Sequence, residues 1–582
     1  MKTFILLCVF IISVFVLDNY PQNWPTVGGN NQRNGLSKIV GPDSVVTPAW
    51  TITSTTSLWG NSVFTYGDKF VTSRVVFTPS YTAKIECRRI TDGGLLWDKQ
   101  VNPSSIMYAV GFSEFAVYAH DYSNDSLYAL SPSDGSVLWA VYEDMFGGNS
   151  GILFACNGDP VVRGKRLNKY TGETVWSYDY IIPVAPNAGY AAYGNTFYHY
   201  KGAINTAKTV FALDMETGDY KYESVPLDGD ADQELPLTIG NDGTIYICRD
   251  GGSLFALEDR GTELSIKWEY DPAGSNLTGN FGSDSAGNVY IIDYDAVKLL
   301  SSANGRVIDS SDISIPFGYN PTISVDGEGK VYICNSLDAG GRYYCFSADL
   351  HTVIWEMPVP YNYYCGPALA KDGTLIIIGA GTEIKAFRPN RALKPVADFT
   401  TDSVLIHAGT GLNFYDQSSF QPSAWQWNFP GGTPAISSEQ NPTEIIYSTP
   451  GDYEVSLVVS NPLGTDTLTK SCYITVLPPV SVKEENNPTG FYLSQNHPNP
   501  FNPVTIINFQ LATKSLVSLK VYDVLGNEIE TLVNEEKPAG SYELTWNGIG
   551  LPSGVYFYQL KAFLTDRQAG LFIETKKMVL LK

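Results

Sequence analysis

The acidic side chains at 228–234 are the first residues in this sequence whose types and spacing could do chemistry. Asp228, Asp230, Asp232 and Glu234 place a carboxylate at every second position. On a turning loop that spacing gathers oxygens on one side, which hard cations such as Ca²⁺ require. The match to the EF-hand calcium loop is partial. That loop needs Gly at its sixth position and Glu at its twelfth, where this chain has Gln233 and Ile239. The plainer reading is a solvated acidic loop. Asp121-Tyr122-Ser123-Asn124-Asp125 is a weaker version of the same pattern. Asp228, Asp230 and Asp232 are therefore the candidate metal ligands, with Ca²⁺ the ion to test.

Other chemistries find less support. His120, His199, His351, His407 and His497 are far apart, with no metal-ligand spacing. Beyond Cys8 the cysteines are Cys87, Cys156, Cys248, Cys334, Cys345, Cys365 and Cys472, none adjacent and none in a Cys-x-x-Cys pair. Neither zinc nor haem attachment is indicated. Cys248 and Cys334 end the related segments IYIC and VYIC, which suits small apolar fillers in strands. Cys334 and Cys345 could face each other across one hairpin, which makes a disulfide the less favoured alternative to two unpaired thiols. The chain has no G-x-S-x-G elbow and no phosphate-binding loop. Paired carboxylates for glycoside chemistry need only meet in space, so spacing along the chain identifies none. No catalytic residue emerges.

The elements that must position these residues are announced by a repeat. The segment LYALSPSDGSVLW, 127–139, reads as a strand, a tight turn at Asp134-Gly135 and a second strand ending on Trp139. Glycine suits that turn because a positive φ costs it little. Related segments end at Trp176, Tyr222 and Trp268, and weaker ones span 87–97, 297–308 and 345–355. A second signal, of the form D-G-T-I-Y-I, recurs from Tyr66 to Lys371, at about 44 residues per repeat. Several short strands per period mean a propeller or an array. The spacing predicts eight blades, or seven if the degenerate copies at 297 and 345 are discounted. The strand ending at Trp50 lacks an inner partner and the strand 384–387 lacks an outer one, so the two are expected to pair and close the ring. With strand-like runs short and helical periodicity confined to the N-terminus, the expected fold class is all-β.

Repeats ending A-L-x-x-x-T-G-x-x-x-W resemble those of the quinoprotein, or PQQ-like, propeller family, and the opening NWPTVGGNNQRNGLS (23–37) is similar to that family's lead-in. The family's dehydrogenases stack PQQ between a Trp and a disulfide of adjacent cysteines near Ca²⁺. This chain has no adjacent cysteine pair, so no PQQ is expected, and the tryptophans are read as packing between blades.

The unit 393–477 resembles a PKD domain, an immunoglobulin-like sandwich, with Phe429-Pro430-Gly431-Gly432 where relatives carry an acidic turn. Trp425 and Trp427 are expected on opposite faces of their strand. A Pro-rich, charged linker, 478–490, follows. The segment 491–582 resembles the C-terminal sorting domain of type IX secretion substrates, through Asn499-Pro500-Phe501-Asn502-Pro503, Gly526 in YDVLG, and Gly554 and Tyr556 in LPSGVY. The resemblance implies recognition by the secretion machinery. With Met1-Lys2-Thr3 ahead of an apolar run from Phe4 to Leu17, residues 1–19 read as a signal peptide and 20–392 as the propeller.

Net charge is −22, spread along the chain, which disfavours nucleic acid and anionic lipid as partners. Together these features point to a secreted or cell-surface protein, with no transmembrane span in its mature form. Its propeller is expected to bind a glycan or protein ligand without catalysis. The alternative is a secreted enzyme, either a degenerate quinoprotein or a polysaccharide-processing propeller.

Overall fold

The computed structural model describes residues 26, 29–54, 63–76, 82–143, 151–178, 189–201, 209–231, 237–250, 253–272, 277–318, 321–337, 340–359, 362, 366–379, 383–479, 490–564 and 571–581. The expected signal peptide, Cys365 and Asp232 lie outside the described residues. Among the described residues there is no helix. The chain divides into two compact units, Met1–Pro478 and Pro479–Lys582.

The first unit begins as a succession of antiparallel four-stranded meanders. Val63–Tyr66, Lys69–Val76, Thr82–Arg89 and Leu95–Lys99 form the first; others span 107–142, 153–177, 190–223, 230–270, 278–310 and 322–358. The meander at 230–270 carries an extra two-residue strand, Asp230–Ala231. A single parallel bridge, Asn280 to Thr322, joins the meander at 278–310 to its successor. The last meander draws on both ends of the run: Trp50–Thr53 pairs with Glu383–Phe387, with Trp50 opposite Ala386. That pairing leaves neither terminal strand as a bare edge, which is how a ring of sheets closes. This part of the chain is a β-propeller.

Burial explains why the middle strands read as unbroken apolar runs. Met107–Phe112 and Val117–Asp121 are buried at every position, because a neighbouring sheet packs on each face. The outermost strand, Val137–Tyr142, buries only Trp139.

That tryptophan holds the sheets together. Trp97, Trp139, Trp176, Trp268 and Trp355 occupy the same register, opposite Cys87, Ala129, Arg166, Ala256 and Cys345, each beside a bulge. Except for Trp355, whose Nε1 donates to Pro42 O of the lead-in (3.3 Å), each indole reaches into the turn of the next sheet. Trp50 Nε1 donates to Ile90 O (2.7 Å), Trp139 to Lys169 O (2.8 Å), Trp176 to Met215 O (3.1 Å) and Trp268 to Ser302 O (2.8 Å). The rings lie on the turn glycines: a Cβ at Gly218, where φ is +76°, would stand 2.6 Å from Cδ2 of Trp176. Two sheets use other chemistry at the same position. Tyr222 donates to Asp259 (2.6 Å), and Asp309 faces His351 (3.1 Å). The tryptophans pack between sheets, as read from the sequence.

The lead-in is a buried strap across the inner strands. Asn31 and Phe154 exchange hydrogen bonds (2.7 and 2.9 Å). Arg33 Nε donates to Tyr190 O and its Nη2 to Gly151 O, both at 2.6 Å. Gln32 donates to Gly240 O (3.0 Å) and Asn34 to Ile239 O (2.8 Å). Farther along, Ser37 N donates to Val325 O and Gly327 N to Ile39 O, both at 2.8 Å.

The same unit continues as a sandwich. Ala424–Asn428, Gly451–Asn461, Gly464–Leu477 and Leu405–His407 build one sheet, and Gly411–Leu412, Ile445–Tyr447 and Gly432–Thr433 build strands of the other. The tryptophan expectation needs correction. Ala424–Asn428 pairs in unbroken register with Gly451–Asn461, and a spacing of two puts both rings on one face. Trp427 is fully buried and stacks on Phe429, 5.8 Å away; Trp425 packs at the margin of the same core. The disulfide alternative is excluded. Cys334 lies opposite Tyr343 and Cys345 opposite Tyr332, so the two thiols are out of register; both are buried and free.

The second unit is a smaller sandwich of two sheets, Tyr492–Leu493, Val504–Leu511 and Gly540–Asn547 in one, and Glu528–Lys537, Ser515–Tyr522, Gly554–Leu564 and Leu571–Leu580 in the other. Val517, Leu519 and Val521 alternate into its core.

Candidate functional site

The acidic loop is held by a cation that belongs to the chain. Asp228 is exposed, and its carbonyl accepts from Arg249 Nε (3.3 Å) while the carbonyl of Gly229 accepts from Arg249 Nη2. Asp230 and Ala231 pair with Asp250 and Arg249. A divalent ion on this loop would sit beside a guanidinium that already takes two of its carbonyls. Asp121, in the weaker acidic motif, is committed to structure: it accepts from Ser105 Oγ (2.7 Å), Ser123 N (3.0 Å) and Ile106 N (3.2 Å). Burial pushes its carboxyl up, but the bonds from Ser123 and Ser105 hold it below the usual range.

The histidines stay apart. His199 lies between Tyr190 and Phe211 and donates from Nδ1 to Tyr200 O (2.6 Å); burial drives it down to about 4. His351 sits exposed between Asp309 (3.1 Å) and Asp312 (3.0 Å). Among the described residues no three His, Cys, Asp or Glu gather as a metal cluster. The residues do not fit a PQQ sandwich either. The described propeller tryptophans are committed to sheet junctions, and no described cysteines are neighbours in sequence.

What the sequence did not reveal is a cavity of about 520 Å³ where the sandwich meets the propeller. Its floor includes Asn30 and Asn31 of the lead-in, and its walls are first-to-second-strand turns of successive sheets: Tyr66, Glu114-Phe115, 154–158 and Gly194-Asn195. Leu468 and 470–473 of the sandwich close it from the other side. These residues come from turns tens of residues apart, so no local motif marks them.

Its charges are balanced by protein partners. Glu114 accepts from Thr400 Oγ1 (2.9 Å), across the domain junction. Lys371 bridges likewise to Asp398 (3.5 Å). Lys169 Nζ stands 3.7 Å over the Phe115 ring and donates to Asn157 O; burial brings it down to about 8. Glu216 pairs with Arg166, which also holds Asp159 at 3.0 Å. Lys470 Nζ lies 4.8 Å from the Tyr473 ring centre. Burial pushes the Tyr66 and Tyr473 phenols well up, so both face the cavity as neutral hydroxyls. Phe115 stands edge-on to the exposed ring of Tyr170 at 5.7 Å, extending an aromatic wall outward.

In the second unit the residues 499–503 fasten the C-terminal strand. Asn499 Oδ1 accepts from Val579 N (2.9 Å); Phe501 N donates to Val579 O (2.9 Å), and Leu581 N to Phe501 O (3.0 Å). The buried Phe501 ring packs on Trp546 at 5.6 Å. Pro503 O accepts from Gly548 N (2.9 Å), while Pro500 and Asn502 are exposed. Gly526 sits in an exposed turn with φ +83°, Gly554 opens a strand, and Tyr556 donates to Pro552 O (2.8 Å).

Residues 397–474 match the PKD domain family, and residues 496–573 match the secretion system C-terminal sorting domain. The chain is a type IX export substrate. Its sorting domain directs it to the cell surface or the extracellular space. No curated protein matches. Among solved structures, BamB from Moraxella catarrhalis is similar at 15% identity and TM-score 0.42, over 59% of this chain and 98% of that one. Quinohemoprotein alcohol dehydrogenase from Comamonas testosteroni is similar at 13% and 0.45, over 64% and 82%. Kluyveromyces lactis Hsv2 follows at 7% and 0.37, over 52% and 98%. At these values the likenesses carry no argument about ligand or chemistry, and the propeller rests on its own strand pairing. No helix among the described residues is long and apolar enough to cross a membrane.

Proposed function

We propose that this exported protein is a non-enzymatic, surface or extracellular binding protein whose propeller and PKD domain together hold a saccharide. We read the ring as eight blades. The observation that carries the proposal is the junction cavity of about 520 Å³, within the size range of small-ligand sites. Aromatic rings at Tyr66, Phe115 and Tyr473 offer faces to apolar sugar CH groups, while the lining amides of Asn30, Asn31, Asn157 and Asn195, each already bonded within the protein, give the cavity a fixed polar rim. The flanking carboxylates and ammonium groups already have partners, which suits orientation of a ligand rather than proton transfer.

The test is a thermal-shift panel of soluble oligosaccharides on the exported chain. A ligand present at 100 times its Kd and specific to the folded state adds about 2.7 kcal/mol. One saccharide class should raise the melting temperature, and Phe115→Ala should abolish the rise. No shift with any saccharide, or turnover of the one that binds, would overturn the reading.

A further inference from the structure

The described cysteines divide into two kinds. Cys87, Cys248, Cys334 and Cys345 are buried fillers within strands. Cys156 is exposed and Cys472 half-buried; both thiols are free and line the junction cavity, near enough that each shifts the other's ionisation. They come from different domains. Cys156 sits in the turn between Leu153–Phe154 and Pro160–Val162 of the propeller, and Cys472 in Gly464–Leu477 of the PKD domain.

The backbone around Cys472 is shaped for this meeting. Opposite Gly451–Asn461 the register slips between Tyr453 and Val455, so that 471–473 bulge out of the ladder, and Cys472 adopts a φ of +48°. A bulge re-aims side chains, and a left-handed conformation is one a non-glycine residue seldom takes without a reason. Here the bulge delivers a thiol to the propeller surface.

We propose that Cys156 and Cys472 form an interdomain disulfide in the exported protein, locking the PKD domain onto the propeller beside the cavity. Export takes the chain out of the reducing cytosol into oxidising surroundings, where such bonds form and persist. The oxidant is the reactive disulfide of an exported thiol oxidoreductase. The Cys472 thiolate attacks it, forming a mixed disulfide and releasing one acceptor thiolate; the Cys156 thiolate then attacks Cys472 Sγ and expels the second. Two thiol protons are lost and two electrons reduce the acceptor to a dithiol. The Cys156 contact holds the Cys472 thiol below its ordinary range, which favours the attacking thiolate. The inference does not depend on what the cavity binds.

The exported full chain, denatured without reductant, alkylated and digested, should yield one cross-linked species joining the segments that contain Cys156 and Cys472. Reduction should split it. In Cys156→Ser, Cys472 should become alkylated. Reductant should raise amide exchange at 154–158 and 470–473 in the parent protein but add nothing further in Cys156→Ser. Alkylation of both thiols in the unreduced parent, or cross-linking of either to another cysteine, would overturn the proposal. A cross-linked chain that binds no saccharide would leave it standing while removing the ligand reading.

Discussion

His199 shows how one buried side chain can set the protein's response to pH. Its ordinary value is 6.5 and burial takes it to about 4 in the fold, so the neutral imidazole is the folded form. The unfolded chain binds the extra proton first. The stabilisation is therefore complete above about 6.5 and lost as the pH falls through about 4, with a span of about 3 kcal/mol. His199→Phe keeps a ring between Tyr190 and Phe211 and should flatten the stability curve between those limits, measured by urea unfolding at stepped pH. A slope unchanged by the substitution would assign the acid sensitivity elsewhere. The acidic loop makes the opposite case. Because Arg249 already takes the carbonyls of Asp228 and Gly229, the melting temperature in EDTA should equal that in millimolar Ca²⁺. A rise with Ca²⁺ that Asp228→Asn removes would establish the cation loop instead.

At the scale of the element, the sheet junctions should dominate stability. An indole such as Trp176 buries on the order of 150–250 Å², and truncating it leaves a cavity as well as an unfilled Met215 carbonyl. Trp176→Ala should cost about 3–5 kcal/mol. Gly218→Ala should also destabilise, since its methyl would meet the same ring and its φ of +76° suits glycine. Both can be read from chemical denaturation of the exported chain; substitutions that shift the midpoint by less than a surface change would show that the indole contributes little. These junctions were legible in advance because turn glycine and outer-strand Trp recur within one short segment. The closing pair, Trp50–Thr53 with Glu383–Phe387, was legible as two half-sheets at opposite ends of the run. The face of Trp425 was misread against the two-residue strand period, and the Cys334–Cys345 pairing failed because a shared hairpin does not fix register. At Asp309 and Tyr222 the repeat is degenerate in sequence while the junction persists in space, through His351 and Asp259. The cavity had no local signal, because each of its turns contributes only one to a few residues.

Across the first unit, the lead-in decides whether the ring behaves as one body. Arg33 is fully buried, and its guanidinium satisfies the carbonyls of Tyr190 and Gly151 from two successive sheets. The neighbouring Gln32 and Asn34 reach a third sheet through Gly240 and Ile239, so the strap ties together strands that share no ladder. Replacing Arg33 by Ala would strand the buried Tyr190 carbonyl at about 1–3 kcal/mol, leave Gly151 O with only the Tyr190 hydroxyl (2.9 Å), and open space in the lead-in that carries Asn30 and Asn31, the floor of the cavity. Arg33→Met fills most of that volume without donating, so it separates lost packing from lost hydrogen bonds. Both variants should lower the unfolding midpoint, Ala more than Met, and hydrogen exchange should rise first at 151–154 and 190–192, before the outer Trp strands respond. Exchange that rises uniformly around the ring would mean that the Trp junctions alone hold the sheets and that the strap is a passenger. Exchange confined to the strap-facing strands would make the lead-in the element on which both the closed ring and the floor of the junction cavity depend.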